Sequence, residues 1–413
     1  MEKAPVNETQ GYAGFWVRNR NVIFLMIAQA CFLSCSMTVV TFAGLTGEML
    51  ATNKALATLP MSLSIVSTAV STGPMSMLMQ WRSRRFGFRL GATVGIAAAA
   101  VASYGVYSGS FLALCIGTAC FGPFQASAQY YRFAAAESVA PAGAPRAISL
   151  VLIGGLLGAL LVPGLTRWFN EFFLPVNMMG AFVFAGVVSA LVLLPVTFLK
   201  PLEKPFIGDD GAETTPDAGR PLSVIARTPG FIVAVLNGAL GYAMMSFVMT
   251  ATPLAMKACG LIGQSIDVIQ GHVIAMFLPS LFTGSLIQRI GLLPVLLLGH
   301  GFFAVAFITA LSGLEIGHFS VALIALGVGW NFCFVGGTTL LTRVHTDAEK
   351  GRVQGLNEFL VFGTTAVASL SAGVILQQFG WRLVNQSAFV MLVIAAGATI
   401  IWGLFAVRKP AAN

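Results

Sequence analysis

The chain alternates long apolar runs with short polar breaks from residue 22 almost to its end. A helix of about 20 predominantly apolar residues is long enough to cross a bilayer, and twelve runs reach that length. The pattern therefore predicts an all-α membrane protein with twelve transmembrane helices. The predicted helices lie at 22–44, 56–79, 90–110, 111–132, 147–166, 177–199, 231–253, 268–287, 294–313, 319–342, 353–376 and 387–406.

The composition supports this prediction. Hydrophobic residues make up 57% of the 413 positions and charged residues 9%, whereas soluble proteins carry roughly 25% charged residues. We therefore expect a multi-pass protein embedded in a lipid bilayer. The net charge of +8 does not indicate a nucleic-acid partner, because such proteins need their basic groups on one solvated face. The six cysteines form no spaced framework, and we expect no metal site and no cofactor.

Lysine and arginine positions predict the orientation of the chain. Twelve spans place both termini on one side of the membrane, and cytosolic loops carry an excess of Lys and Arg. With both termini in the cytosol, the cytosolic segments hold all but four of the 23 basic residues. The exceptions, in the outer loops, are Lys54, Arg167, Lys257 and Arg382. We therefore predict that both termini are cytosolic.

The longest polar stretch separates six apolar runs from the other six. It contains five prolines and no hydrophobic period, which is typical of a flexible linker. The predicted organisation is a cytosolic tail (1–21), a six-helix bundle (22–199), a cytosolic linker (200–230), a second six-helix bundle (231–406) and a cytosolic tail (407–413).

The two halves share landmarks at nearly constant spacing, which indicates an internal repeat. The triplet Arg-Phe-Gly at 85–87 recurs as Arg-Ile-Gly at 289–291, an offset of 204 residues. Gln125 and Asn331 occupy matching runs at an offset of 206. We therefore predict two pseudo-symmetric bundles.

The loop between spans 2 and 3 resembles that of the major facilitator superfamily, whose signature there is Gly-x-x-x-Asp-Arg-x-Gly-x-Arg, with a weaker copy between spans 8 and 9. The first copy retains Arg85, Gly87 and Arg89, with Gln80 and Arg84 in place of the leading Gly and the acid. The second copy retains Gly284, Arg289 and Gly291, with Gln288 in place of the acid. The resemblance implies two six-helix bundles that carry a small-molecule substrate by alternating access.

The missing acid of the first copy suggests a gate of reversed polarity. In the family this carboxylate helps to close the cytosolic side by meeting the start of span 11, and here the start of span 11 carries Glu358. We predict that Glu358 pairs with Arg84 or Arg85. The alternative is that Glu358 lies in headgroup water, favoured by the helix dipole. The candidate gating residues are Arg84, Arg85, Gly87, Arg89, Arg289, Gly291 and Glu358.

Polar and aromatic residues near the middle of spans are the candidate substrate contacts. Transporters of this kind bind substrate near the bilayer midplane between the two halves. The candidates in spans 1, 4, 7 and 10 are Gln29, Gln125, Gln129, Asn237, Trp330 and Asn331. The alternative is that the carboxamides form interhelical hydrogen bonds and that the aromatic ring packs between helices.

Few titratable groups lie within the spans, which limits the candidates for proton coupling. Glu48 is at the outer end of span 1, and His272 is near the start of span 8. Both residues are candidates for coupling to protons, and His272 is one because histidine titrates near physiological pH. The alternative for His272 is a packing role with a hydrogen-bonded ring.

The predicted function is a secondary active or facilitative transporter of a small organic solute, acting as a monomer. The segment around Trp330 is also similar to bacterial members of the superfamily that are described as riboflavin transporters, which suggests an aromatic heterocycle as substrate. An efflux antiporter for drugs or metabolites is the alternative within this class. A membrane enzyme or a non-transporting sensor is disfavoured, because the spans show no convergent catalytic groups and the largest loop has about 30 residues.

Overall fold

The computed structural model describes residues 19–53, 56, 59–201, 219–261 and 264–407. Most of both predicted tails, Lys54 and most of the predicted linker lie outside these ranges. Within them the chain forms helices and turns and no strand, which confirms the predicted all-α class.

The first half of the chain contributes seven α-helices among the described residues. They are α1 (Arg20–Leu50), α2 (Leu59–Trp81), α3 (Arg84–Tyr107), α4 (Phe111–Ala128), α5 (Tyr131–Glu137), α6 (Ala144–Phe172) and α7 (Met179–Thr197). Together α4 and α5 make one candidate span of 27 residues.

The second half begins with a short helix and continues with six longer ones. They are α8 (Leu222–Ile225), α9 (Pro229–Ala258), α10 (Ser265–Phe277), α11 (Thr283–Ile290), α12 (Leu292–Ser312), α13 (Ile316–Leu341) and α14 (Lys350–Val407). Gly380 interrupts α14 with φ 79° and ψ 176°, a left-handed backbone that glycine adopts without strain. We call the parts before and after it α14a (350–379) and α14b (381–407).

Nine helices in the described part of the chain are long and apolar enough to cross a membrane. A tenth candidate is the pair α10–α11, which is bent by 48° at a short break. Helix α2 is not among them, because it carries five serines and two threonines in 23 residues. The prediction of a multi-pass membrane protein is thus confirmed, whereas the number of twelve spans and the orientation stay predictions.

The two halves of the molecule contact each other at one end. We call this the linker end, because α7 ends there at Thr197 and α9 begins there at Pro229. One contact joins α2 to the start of α14a, where Ser76 Oγ donates a 2.8 Å hydrogen bond to the Gly351 carbonyl oxygen. The second joins the start of α6 to the α10–α11 break, where Ser149 Oγ donates to the Ser280 carbonyl oxygen.

Candidate substrate site and gate

A buried ion pair joins the two halves of the chain. Arg132 on α5 donates from Nη2 to Oε1 of Glu358 on α14a at 2.5 Å, and the two side chains are only 4% and 0% exposed. Arg132 Nε also donates to Thr338 Oγ1 at 3.2 Å, and Asn357 Nδ2 donates to Glu358 Oε1 at 2.7 Å. Removing one partner of such a pair leaves an uncompensated buried charge, which is strongly destabilising.

The predicted pairing of Glu358 with Arg84 or Arg85 is wrong. Glu358 lies eight residues after the start of α14, about 12 Å along the helix, whereas Arg84 and Arg85 lie at the very start of α3. Arg132, on α5, reaches the depth of Glu358. Because Glu358 is fully buried, the alternative placement in headgroup water is also wrong.

Arg84 instead belongs to a second polar layer at the linker end. It donates to Glu137 Oε1 at 2.6 Å and to Gln354 Oε1 at 2.5 Å, and Gln354 is one helical turn before Glu358. The ammonium group of Lys350 lies 3.8 Å from Glu137 Oε2. Glu137 and Arg84 come from the first half and Gln354 and Lys350 from the second, so this layer also bridges the two halves.

The remaining candidate gating residues have local roles in the structure. Arg85 donates to the carbonyl oxygen of Thr197, which ties the start of α3 to the end of α7. Arg89 and Arg289 are exposed. Gly87 is packed against the Met79 side chain. Gly291 has φ 92° and turns the chain from α11 into α12.

Two further glycines allow the halves to approach closely. A Cβ atom at Gly284 would lie 2.5 Å from the Pro145 carbonyl oxygen of α6. At the other contact the glycine is Gly351, and a Cβ there would overlap the Gln80 side chain of α2. The first copy of the loop signature, which has Gln80 where the family has glycine, thus faces a glycine on the opposite helix.

An aromatic cluster lies at the same interface. Trp330 is stacked on Phe334 with ring centroids 4.8 Å apart and an interplanar angle of 17°. Tyr242 lies edge-on to both rings, at 5.4 and 5.6 Å. Phe362 is 5.5 Å from Tyr242, and Phe277 is 5.8 Å from Trp330. We call these five residues the aromatic cluster.

The aromatic cluster faces the first half of the molecule. The Arg132 guanidinium carbon lies 4.2 Å from the centroid of the Phe334 ring, which is a cation–π geometry. Phe277 packs against α6, where a Cβ atom at Gly155 would be 2.8 Å from its ring. The cluster therefore adjoins the buried ion pair and is composed entirely of residues from the second half.

The predicted carboxamides of the second half point to helices of their own bundle. Asn331 donates to the Met276 carbonyl oxygen and to Ser280 Oγ, both at 2.6 Å, and accepts from Thr283 Oγ1. These groups flank the α10–α11 break, so Asn331 satisfies polar groups that the interrupted helix leaves free. Asn237 donates to Thr399 Oγ1 on α14b at 2.9 Å.

The predicted glutamines all lie in the first half. Gln125 donates to Ser64 Oγ at 2.8 Å and accepts from Ser36 Oγ at 3.4 Å. Gln29 is buried within α1, and Gln129 is partly buried at the end of α4. Of the six candidate substrate contacts, Trp330 is the one that the structure places in the aromatic cluster. Substrate binding by any of the six stays a prediction.

The two candidates for proton coupling occupy different environments. His272 is fully buried, and its Nδ1 lies 2.7 Å from the Leu323 carbonyl oxygen. A carbonyl only accepts, so Nδ1 carries the proton and the ring joins α10 to α13. Glu48 is exposed near the end of α1.

Sequence reasoning missed Arg132 as the partner of Glu358, and it missed Tyr242 and Phe362 as neighbours of Trp330. A signal for the ion pair was available, because ionisable residues within spans nearly always pair with one another. No sequence signal singles out Tyr242 or Phe362, since aromatic residues are frequent throughout the spans.

Comparisons with known proteins identify the family of this chain. Residues 260–413 match the sequence model of the Major Facilitator Superfamily. The riboflavin transporter RfnT of Brucella anthropi is 42% identical over 374 residues, which cover 90% of this chain and 92% of that protein.

Two solved structures share the fold. A bacterial homologue of the iron transporter ferroportin superimposes with a TM-score of 0.73 at 13% identity, covering 93% of this chain and 99% of the other. FucP, the E. coli fucose:proton symporter, gives 0.65 at 16% identity, covering 92% and 99%. The chain therefore belongs to the major facilitator superfamily and is a multi-pass transporter of the inner membrane, not an enzyme.

Proposed function

We propose that this protein carries riboflavin, or a closely related flat heteroaromatic solute, across the inner membrane by alternating access. The observation that supports the substrate class most directly is the aromatic cluster at the interface of the two halves, since flat rings bind by stacking on aromatic side chains. The riboflavin transporter RfnT, 42% identical, supports the same class.

We further propose that the structure represents the state in which the cytosolic side is closed. The contacts described above between the two halves lie at the linker end, and the distribution of Lys and Arg predicts that this end is cytosolic. The Arg132–Glu358 pair and the Arg84–Glu137 layer would then form two successive barriers between the substrate site and the cytosol.

The proposed functional unit is a monomer. Both sides of the ion pair, both close glycine contacts and all five residues of the aromatic cluster come from a single chain.

The test is uptake of labelled riboflavin into proteoliposomes that contain the purified full-length protein. We expect saturable uptake that an excess of unlabelled riboflavin or lumichrome inhibits and that ribitol, which lacks the ring, does not. Liposomes without protein are the control. If uptake does not exceed that control, or if ribitol competes as well as riboflavin, the proposed substrate class is wrong.

The same vesicles address the proton as a second partner. An imposed pH gradient should change the initial rate of uptake if transport is coupled to protons, as the sequence suggests through Glu48 or His272. The buried hydrogen bond of His272 to Leu323 favours a packing role, so we expect His272→Asn, which can still donate, to retain whatever gradient response the parent protein shows.

A further inference from the structure

The aromatic cluster contains a buried hydrogen-bond donor that packing alone does not explain. Trp330 is only 2% exposed, and its indole Nε1–H has no acceptor among the residues that the structure describes. Buried donors are almost always paired, and each exception calls for a specific explanation. Tryptophan N–H groups in particular usually find a partner when buried.

The residues around Trp330 indicate the kind of ligand that could accept a hydrogen bond from its indole N–H. The rings of Phe334, Tyr242 and Phe277 have their centroids within 5.8 Å of the indole, and they present flat π surfaces. Tyr242 and Phe362 are only partly buried, so the cluster is most accessible along these two rings. A flat ligand that enters there can stack on these rings.

The position of the cluster places this donor at the interface that moves during transport. Phe334, in the second half, stacks on Trp330 and also lies under the guanidinium of Arg132, which belongs to the first half. Arg132 in turn pairs with Glu358 of the second half. Glu358 compensates the charge of Arg132, so the indole N–H, rather than this charge, selects the acceptor-bearing edge of a ligand.

We propose that the indole N–H of Trp330 donates a hydrogen bond to a ring carbonyl of a flat heteroaromatic substrate that stacks against Tyr242 and Phe362. The proposal rests on the proposed function and specifies how the substrate is recognised. The isoalloxazine ring of riboflavin has this chemistry, because it is planar and carries two carbonyl groups on one edge.

The test measures the affinity of purified full-length protein for riboflavin and for lumichrome by quenching of flavin fluorescence. Trp330→Phe keeps an aromatic ring and removes the donor, and we expect it to weaken both affinities about tenfold, as loss of one buried hydrogen bond does. The matched control is Phe332→Leu on the same helix, whose ring packs on Phe282 and Phe302 outside the cluster. Its affinities should match those of the parent protein.

A second variant protects the test against misfolding. Tyr242→Leu removes a partly exposed ring of the cluster without creating a buried polar group. It should weaken the affinity for both flavins at least tenfold, while the melting temperature stays close to that of the parent protein. If riboflavin binds to Trp330→Phe and Tyr242→Leu as tightly as to the parent protein, the assigned site is wrong although the proposed function stands. If the parent protein binds neither flavin, both the site and the proposed substrate are wrong.

Discussion

At the scale of single residues, the depth of a side chain along its helix decides its partner. Glu358 and Gln354 are one turn apart on α14a, yet the first meets Arg132 and the second meets Arg84. The sequence placed a carboxylate and several arginines near the same membrane face. Only the packed helices show which arginine reaches the deeper level.

The Arg132–Glu358 pair should hold the linker end closed. Glu358→Gln leaves the Arg132 charge buried without a counter-charge, and breaking a buried pair in this way costs about 3–5 kcal/mol. We expect the variant to populate the state with an open linker end. The measurement is the rate of disulfide cross-linking between Gln80→Cys and Ala348→Cys, in a background without other cysteines. In the parent protein the Gln80 side chain donates a hydrogen bond to the Ala348 carbonyl oxygen.

The control for this variant is Glu171→Gln, which removes an exposed pair with Arg167. Exposed pairs contribute about 0–1 kcal/mol, so cross-linking should be unchanged. An unaltered cross-linking rate in Glu358→Gln as well would mean that the buried pair does not hold the gate.

A second residue-level prediction concerns the end of the linker. Glu349 accepts three hydrogen bonds from Arg220, from its backbone N and from its guanidinium, and these hold the pKa of Glu349 well below its ordinary range. A lowered pKa in the folded state means that the contact is fully present above the ordinary glutamate value of about 4.3. It is lost only as the pH falls through the lowered value.

Backbone amides at 222–226 should therefore show constant hydrogen-exchange protection between pH 5 and pH 7.5, after correction for intrinsic rates. Glu349→Gln should exchange faster there at every pH in this range. Asp347→Asn, at an exposed neighbour, is the control and should match the parent. Protection that already declines between pH 7 and pH 5 in the parent would contradict the assignment.

At the scale of helices, the close contacts of the two halves depend on which atoms face each glycine. Gly284→Ala would push a methyl group against the backbone of Pro145 and Arg146, whereas Gly351→Ala would press on the Gln80 side chain, whose Cβ would lie 2.8 Å from the added one. Overpacking against a rigid neighbour costs about 1–3 kcal/mol. We expect Gly284→Ala to slow the cross-linking described above.

Gly363→Ala provides the baseline, because nothing lies within 4 Å of the added Cβ. It should behave as the parent protein. Equal effects of Gly284→Ala and Gly363→Ala would show that the α6–α11 contact does not limit closure.

The α10–α11 break gives Asn331 a structural role, beside which its predicted substrate contact stays to be tested. Asn331→Leu removes the partner of Met276, Ser280 and Thr283, and unsatisfied buried groups cost about 1–3 kcal/mol. We expect a clear drop in thermal stability, with riboflavin affinity of the folded fraction changed less than twofold. A variant of normal stability that has lost flavin binding would favour the substrate-contact role that the sequence suggested.

At the scale of the whole molecule, the orientation predicted from basic residues can be tested directly. Arg89 and Arg289 belong to predicted cytosolic loops and Arg167 to a predicted outer loop, and all three are exposed. In a cysteine-free background, a membrane-impermeant maleimide applied to intact cells should label Arg167→Cys and neither Arg89→Cys nor Arg289→Cys. Labelling in the reverse pattern would invert the proposed topology, and the closed end would then be the outer one.

Properties that depend on local composition and spacing could be predicted from the amino-acid sequence. Apolar runs long enough to cross a bilayer predict membrane helices wherever they occur, and the repeated triplets at 85–87 and 289–291 mark the duplicated loop. These features establish the helical class and, with the loop signature, the superfamily. They also marked Glu358 and Trp330 as important positions.

Tertiary structure alone decided which groups meet. The relative depth, tilt and separation of helices far apart in the sequence decide the partner of Glu358 and the rings around Trp330. They also decide that Asn331 forms hydrogen bonds at the α10–α11 break. Hydrophobic pattern does not specify these quantities, because lipid and neighbouring helices are equally apolar environments for the same run of residues. The positions of the few polar groups become informative only once the helices are packed.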